Sequence, residues 1–222
     1  MKNQEVVDMK IMITGFDPFG GEAVNPAYEA IRLLPDEIGG AQIVKMEVPT
    51  VFGKAGEVLK AGIREHQPDA VICVGQAGGR SGMSVEKVAI NFQDARIADN
   101  EGNQPIDQVI EADGQTAYFA TVPVKAMVAN MRANGIPAFV SYTAGTFVCN
   151  ELMYALLYLI DKKYPNLRGG FIHVPFSMGQ TVEKPIGTPA MSLESIAKGL
   201  EYAVLAVVEN EEDISVSMGT TH

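Results

Sequence analysis

Short β-branched and apolar runs alternate along this chain with longer segments whose apolar positions recur at helical spacing. KIMITGF (10–16) reads as a buried strand, PAYEAIRLL (26–34) as a helix, QIVKMEV (42–48) as a strand and FGKAGEVLKAGIREH (52–66) as an amphipathic helix. DAVICVG (69–75) predicts another buried strand. SVEKVAINF (84–92) alternates with period two and predicts one continuous strand, followed by a long polar loop. VKAMVANMRANG (124–135) is a helix stopped by Gly135, and IPAFVSYT (136–143) a strand. From Phe147 onward, Val148, Leu152, Leu156 and Leu159 mark one helical face, closed by Lys162, Lys163 and Pro165. FIHVPF (171–176) is a strand and SLESIAKGLEYAVLAVVEN (192–210) the last helix. Strand–helix alternation of this kind predicts a single α/β domain around a mostly parallel, doubly wound sheet.

Composition narrows the partners. The 222 residues carry a formal net charge of −10 with no cluster of Lys and Arg, which argues against nucleic acid and anionic membrane surfaces. No run approaches the roughly 18 apolar residues of a membrane span. The polar N-terminus MKNQEVVDMK lacks a signal-peptide core. Two cysteines do not make a disulfide framework, so a reducing cytoplasm is the expected location. No Cys/His pair has zinc-ligand spacing, and neither a metal nor a cofactor is expected. The stretch 211–222, EEDISVSMGTTH with Asn210 before it, is acidic and expected to be flexible.

Thr146 is a candidate N-cap, which puts Cys149 in the first turn of a helix. Backbone N–H groups and the positive end of the helix dipole favour a thiolate there. The alternative is a small buried residue, the reading that suits Cys73 inside AVICV. A thiol nucleophile needs a base that can return a proton, and three histidines are available. His222 is terminal, His66 sits in polar REHQPD, and His173 lies in an apolar strand; His173 is the candidate. A carboxylate would hold that imidazole in one tautomer. On period-two alternation Glu86 shares a face with Val88, Ile90 and Phe92, where a charge requires a partner. The other reading places Glu86 at an exposed strand end. Together the three residues suggest a cysteine hydrolase.

MITGFDPFGG (12–21), GQAGGR (75–80), VEKVAINFQDARIADNEGNQP (85–105), SYTAGTFVCNELMYAL (141–156) and GFIHVPF (170–176) resemble the blocks of the pyroglutamyl-peptidase I, or pyrrolidone-carboxylate peptidase, family of cysteine exopeptidases. The resemblance implies an α/β/α sandwich with an open, twisted, mostly parallel sheet, over a catalytic domain of residues 9–210 preceded by an extension of residues 1–8. It implies removal of an N-terminal pyroglutamyl residue from peptides by a Glu, Cys, His triad, in that chain order, which falls on Glu86, Cys149 and His173. It also implies Arg96 beside the oxyanion, Phe16, Phe19, Phe147 and Val148 around the pyroglutamyl ring, Asn25 and Gln76 at the polar edge of that pocket, and a homotetramer. The chain departs from the family pattern after His173, where PFSMGQTVEKPIGTP has Met178 and Gly179 in place of a proline, and at Lys87, where the family often has Arg.

Two other classes compete. The Gly-rich stretches FGGEAVNP and GQAGGR, with Arg80, could cradle an anion, but neither matches a phosphate-loop pattern. A thiol amidase of the amidotransferase kind would want glycines flanking the nucleophile, where this chain has Phe147, Val148, Asn150 and Glu151.

Overall fold

The computed structural model describes residues 9–220; the expected extension of residues 1–8 and the last two residues of the tail lie outside that range. In chain order the elements are β1 (Lys10–Phe16), α1 (Pro26–Arg32), β2 (Glu37–Ile38), β3 (Ala41–Val48), α2 (Lys54–His66), β4 (Ala70–Gln76), β5 (Met83–Glu86), β6 (Val88–Ile90), β7 (Ala117–Phe119), α3 (Val124–Ala133), β8 (Ala138–Ser141), α4 (Val148–Lys162), β9 (Arg168–Val174), β10 (Phe176–Ser177), a 3-10 turn (Met178–Thr181), β11 (Ala190–Met191) and α5 (Leu193–Glu209). Seven strands form one sheet in the order β2-β3-β1-β4-β9-β5-β8. The pairs β1–β3, β1–β4, β4–β9 and β5–β8 are parallel, whereas β2–β3 and β5–β9 are antiparallel. The sheet is therefore mostly parallel, as the alternation predicts.

Helices cover both faces, which is why the central strands read as unbroken apolar runs. Tyr28 of α1 lies against Gly15, and Met83 lies against Gly199 of α5, so α1 and α5 share one face. Met12 and Met46 meet Gly62 of α2, while Leu156 and Ile160 of α4 meet Gly169, which puts α2 and α4 on the other. Strand register decides which side chains look toward α4. Thr14, Cys73 and Phe171 are in register across β1, β4 and β9, as are Gly75 with His173, Ser84 with His173, and Glu86 with Phe171 and Ser141. Because side chains alternate along a strand, this whole set falls on the α2/α4 face. Among the described residues no helix is long and apolar enough to cross a membrane.

One expectation is corrected. The run 84–92 is not one strand: the chain leaves the large sheet at Lys87, whose N–H donates to Ser141 O at 2.7 Å. It then starts a second ladder, in which β6 pairs antiparallel with β7. Asn150 of α4 holds that ladder, donating to Ile90 O and Phe92 O and accepting from Ile90 N. Period-two patterning continues across such a break because both pieces are half-buried ladders. Part of the acidic tail packs back against the domain. Its Asp213 accepts hydrogen bonds from the N–H groups of Lys125 and Ala126 at 2.9 and 3.0 Å, at the start of α3. The N-cap of α3 is Pro123, which offers no capping side chain. Asp213 fills that role from a distance in sequence, and Ile214 and Met218 pack against the core beside it.

Replacing Asp213 by Ala removes this cap and is expected to destabilise the fold by about 1–2 kcal/mol in urea titration. Glu212→Ala, at an exposed neighbour, should stay within about 0.5 kcal/mol. Equal effects of the two would mean that the tail adds nothing through Asp213.

Candidate active site

Glu86 ends β5 with none of its surface exposed, and His173, near the end of β9, is 4% exposed. The imidazole Nδ1 lies 2.7 Å from Glu86 Oε1. The same oxygen receives Arg80 Nη1 at 2.7 Å, from the connection between β4 and β5; Arg80 also contacts the Ser84 hydroxyl. Among the described residues Glu86 Oε2 has no hydrogen-bond partner. Burial works to raise the Glu86 carboxyl, but the hydrogen bond and charge of His173, a weaker pull from Ser141 and the charge of Arg80 hold it below its ordinary value. Burial pulls His173 below the usual imidazole value, against the upward pull of Glu86. The resting pair is thus a carboxylate and a neutral imidazole.

The sulfur arrives from α4. A Cβ built on Gly75 would stand 2.8 Å from Cys149 Sγ and 2.9 Å from the Phe171 ring, so no side chain fits there. Gly75 is the register partner of His173, which places the thiol over the strand beside the imidazole. Cys149 is the second residue of α4, in its first turn as the sequence predicts, but the N-cap is Phe147 and no side chain caps this end. Thr146, the expected cap, instead donates its hydroxyl to Asp94 O at 2.7 Å. Burial pushes the Cys149 thiol up to about 12, Glu86 adds to the rise, and Arg80 opposes it. Desolvation therefore opposes the helix terminus at this sulfur, although the residue as a whole is only half-buried. Cys73 is fully buried inside β4 with its thiol also pushed up to about 12 by burial, consistent with an inert residue.

Residues 9–210 match the family model described as pyroglutamyl peptidase. The chain is 59% identical over 214 residues to the pyrrolidone-carboxylate peptidase of Enterococcus faecalis, covering 96% of this chain and all of that one. It is similar in structure to the pyroglutamyl peptidase I of Bacillus amyloliquefaciens, with a TM-score of 0.91 at 49% identity over 95% of this chain and 100% of that one. A pyrrolidone carboxyl peptidase of Pyrococcus furiosus aligns with a TM-score of 0.86 at 43% identity, over 90% of this chain and 99% of that one. The chain belongs to the pyroglutamyl peptidase family.

Of the residues the resemblance assigned to substrate, the phenylalanines form two rows beside the triad. Phe16 stacks toward Phe171 at 6.5 Å between centroids, and Phe171 toward His173 at 4.8 Å. Phe19 meets Phe147 at 6.3 Å, and Phe147 meets Phe52 edge-on at 5.2 Å. Phe52 was read only as the start of a helix; its aromatic partnership has no signal in local spacing. Val148 is fully buried. The Asn25 amide is spent on the backbone, accepting from Ala27 N as the N-cap of α1 and donating to Asp17 O. Gln76 Oε1 accepts from Gln180 Nε2 at 2.8 Å, which ties the loop after His173 to the end of β4. Arg96 is exposed in the loop that Thr146 holds against the start of α4. The arginine in contact with the Glu86–His173 pair is Arg80, which sequence reading connected only with anion binding.

Two positions beyond Cys149, Glu151 points away from the triad. It is 6% exposed and lines a cavity of about 620 Å³ with Phe52, Gly53, Gln93, Glu111 and Tyr158; none of the three triad residues lines it. Its Oε1 accepts from Gly53 N at 3.1 Å, and Oε2 has no partner among the described residues. Burial pushes this carboxyl up to about 7. A carboxyl with a raised folded value binds its proton more tightly folded than unfolded. Stability is therefore full below the unfolded value and falls as pH rises toward 7. Glu151→Gln should accordingly leave stability at pH 5 little changed and raise it by about 1–3 kcal/mol at pH 8. Denaturant titration at the two pH values checks this; a pH-independent difference would contradict the assignment.

Proposed function

We propose that the chain is a cysteine exopeptidase that hydrolyses the amide bond following an N-terminal pyroglutamyl residue. The observation that carries this reading is the placement of the Cys149 sulfur over Gly75, beside an imidazole whose Nδ1 is bound to a buried carboxylate. Glu86 is ionised and can only accept, so the Nδ1 proton of neutral His173 points at Glu86 and the Nε2 lone pair is left for the thiol. As Cys149 Sγ attacks the pyroglutamyl carbonyl, His173 takes the thiol proton and becomes an imidazolium paired with Glu86. The uncapped N–H groups of the first turn of α4 support the oxyanion. The imidazolium then gives its proton to the leaving amine, the C–N bond breaks, and a thioester remains. Water, deprotonated by His173, attacks the thioester and releases free pyroglutamate and the thiol.

Pyroglutamate is a neutral five-membered lactam, and Phe16, Phe19 and Phe147, which the resemblance assigns to its ring, are the apolar residues proposed to receive it. Arg96, in the loop against α4, is proposed to reach the oxyanion with substrate bound; Val148, Asn25 and Gln76 support the pocket through the packing and hydrogen bonds described. The same reading carries a homotetramer as the expected assembly, without nucleic-acid or membrane partners. A reducing cytoplasm suits two free cysteines, one of which must remain a thiol.

Matched pyroglutamyl, prolyl and glutamyl amides test the substrate. A prolyl group lacks the ring carbonyl and carries a charged amine, and a glutamyl group brings two charges that an apolar pocket cannot solvate. The pyroglutamyl amide should be preferred in kcat/KM by several orders of magnitude, up to about 10⁴–10⁵; ratios within tenfold would overturn the pocket assignment. Cys149→Ser should abolish turnover while Cys73→Ser largely preserves it. His173→Ala should lose about 10²–10⁴ in rate, and Glu86→Gln less, because the base remains although badly oriented. Equal losses at both cysteines, with both variants folded, would refute the nucleophile.

A further inference from the structure

In its resting state the site contains a carboxylate with no exposed surface and a neutral imidazole, so the charge of Glu86 must be balanced by something other than His173. Among the described residues the one permanent cation that touches it is Arg80. Arg80 Nη1 and His173 Nδ1 approach the same oxygen, Oε1, each at 2.7 Å. An oxygen that accepts from two donors has no room for a proton of its own. Were Glu86 protonated at Oε1, it would donate to Nδ1, the imidazole proton would sit on Nε2, and no lone pair would face Cys149.

Resting on the triad reading above, we propose that Arg80 is a positioning residue: by sharing Glu86 Oε1 with His173 it keeps the carboxylate ionised and acceptor-only, and so fixes the proton of neutral His173 on Nδ1.

The surroundings hold Arg80 where this requires. Its loop is tied to β9 just beyond His173, where Ala77 N donates to Val174 O at 2.9 Å. Gln180 secures Gln76 one residue earlier. The Phe176 ring occupies the space over Gly78, so a side chain there would collide with it. The Ser84 hydroxyl, on the strand position in register with His173, contacts the guanidinium from the sheet side. Among the described residues the other titratable groups on this face are Cys149 of α4, which the Glu86 charge reaches, and Cys73 of β4, which acts on Cys149; β8 contributes the Ser141 hydroxyl. The Arg80 charge disfavours imidazolium at His173 and favours thiolate at Cys149. Its loss should therefore move the onset of the competent form, ionised Glu86 with neutral His173, to higher pH. With its side chain 26% exposed, the guanidinium position is also open to solvent.

The test is the pH dependence of Cys149 alkylation by iodoacetamide, followed beside kcat and KM for a pyroglutamyl reporter amide, in the wild type and in Arg80→Met, Arg80→Lys and Arg80→Ala. In Arg80→Met the acid limb of both profiles should move up by about one pH unit, with kcat at neutral pH reduced about tenfold or more and KM little changed. Arg80→Lys should keep the wild-type limb, and methylguanidinium should restore part of the activity of Arg80→Ala. If Arg80→Met does not fold, Arg80→Gln, which keeps a donor without the charge, should show the same displacement. An unmoved limb in the folded neutral variant, or an equal loss in Arg80→Lys, overturns the proposal. A displaced alkylation limb in a protein that does not cleave the pyroglutamyl reporter would uphold Arg80 and refute the substrate. Cleavage of the reporter with an unmoved limb would do the reverse.

Discussion

The contact between Glu86 Oε1 and His173 Nδ1 is the interaction on which the rest of the site depends. A carboxylate removed from water is costly unless it is paired and hydrogen-bonded, and the fold spends several elements on this one. β5 runs antiparallel to β9 so that Glu86 and His173 emerge on the same face. The β4–β5 connection returns Arg80 to the same oxygen. Gly75 leaves an empty position beside His173, and α4 delivers the Cys149 sulfur into it. Each step follows from strand direction and side-chain alternation.

Two effects compete at the sulfur. A helix terminus favours thiolate, but that effect amounts to about 0.3–2 kcal/mol, whereas burial beside Glu86 pushes the thiol up to about 12. On the proposed mechanism the nucleophile is made during attack, by transfer of the thiol proton to His173, which puts weight on the orientation of the imidazole.

Most of the fold was legible because both faces of the sheet are covered by helices, so strands read as apolar runs and helices as amphipathic ones. Cys149 and His173 were legible because few residues of either type exist to choose from. Glu86 was found by a wrong route: it does not share a strand with Val88 and Ile90, since the chain breaks at Lys87 into a second ladder held by Asn150. What makes Glu86 a partner is its register against β9, a long-range pairing that no local window contains. Arg80, Phe52 and the docking of Asp213 onto α3 were missed for the same reason, because their partners lie far away in sequence or depend on a loop's return path.

The central claim is that resting His173 is held neutral by burial and the nearby Arg80 charge, while ionised Glu86 keeps its proton on Nδ1. Nitrogen-15 NMR of the histidine-labelled protein at neutral pH, assigned by comparison with His173→Ala, measures this directly. The account predicts a neutral imidazole in the Nδ1–H tautomer, converting to imidazolium only below the ordinary histidine range. A proton on Nε2, or an imidazolium already present at neutral pH, would contradict it.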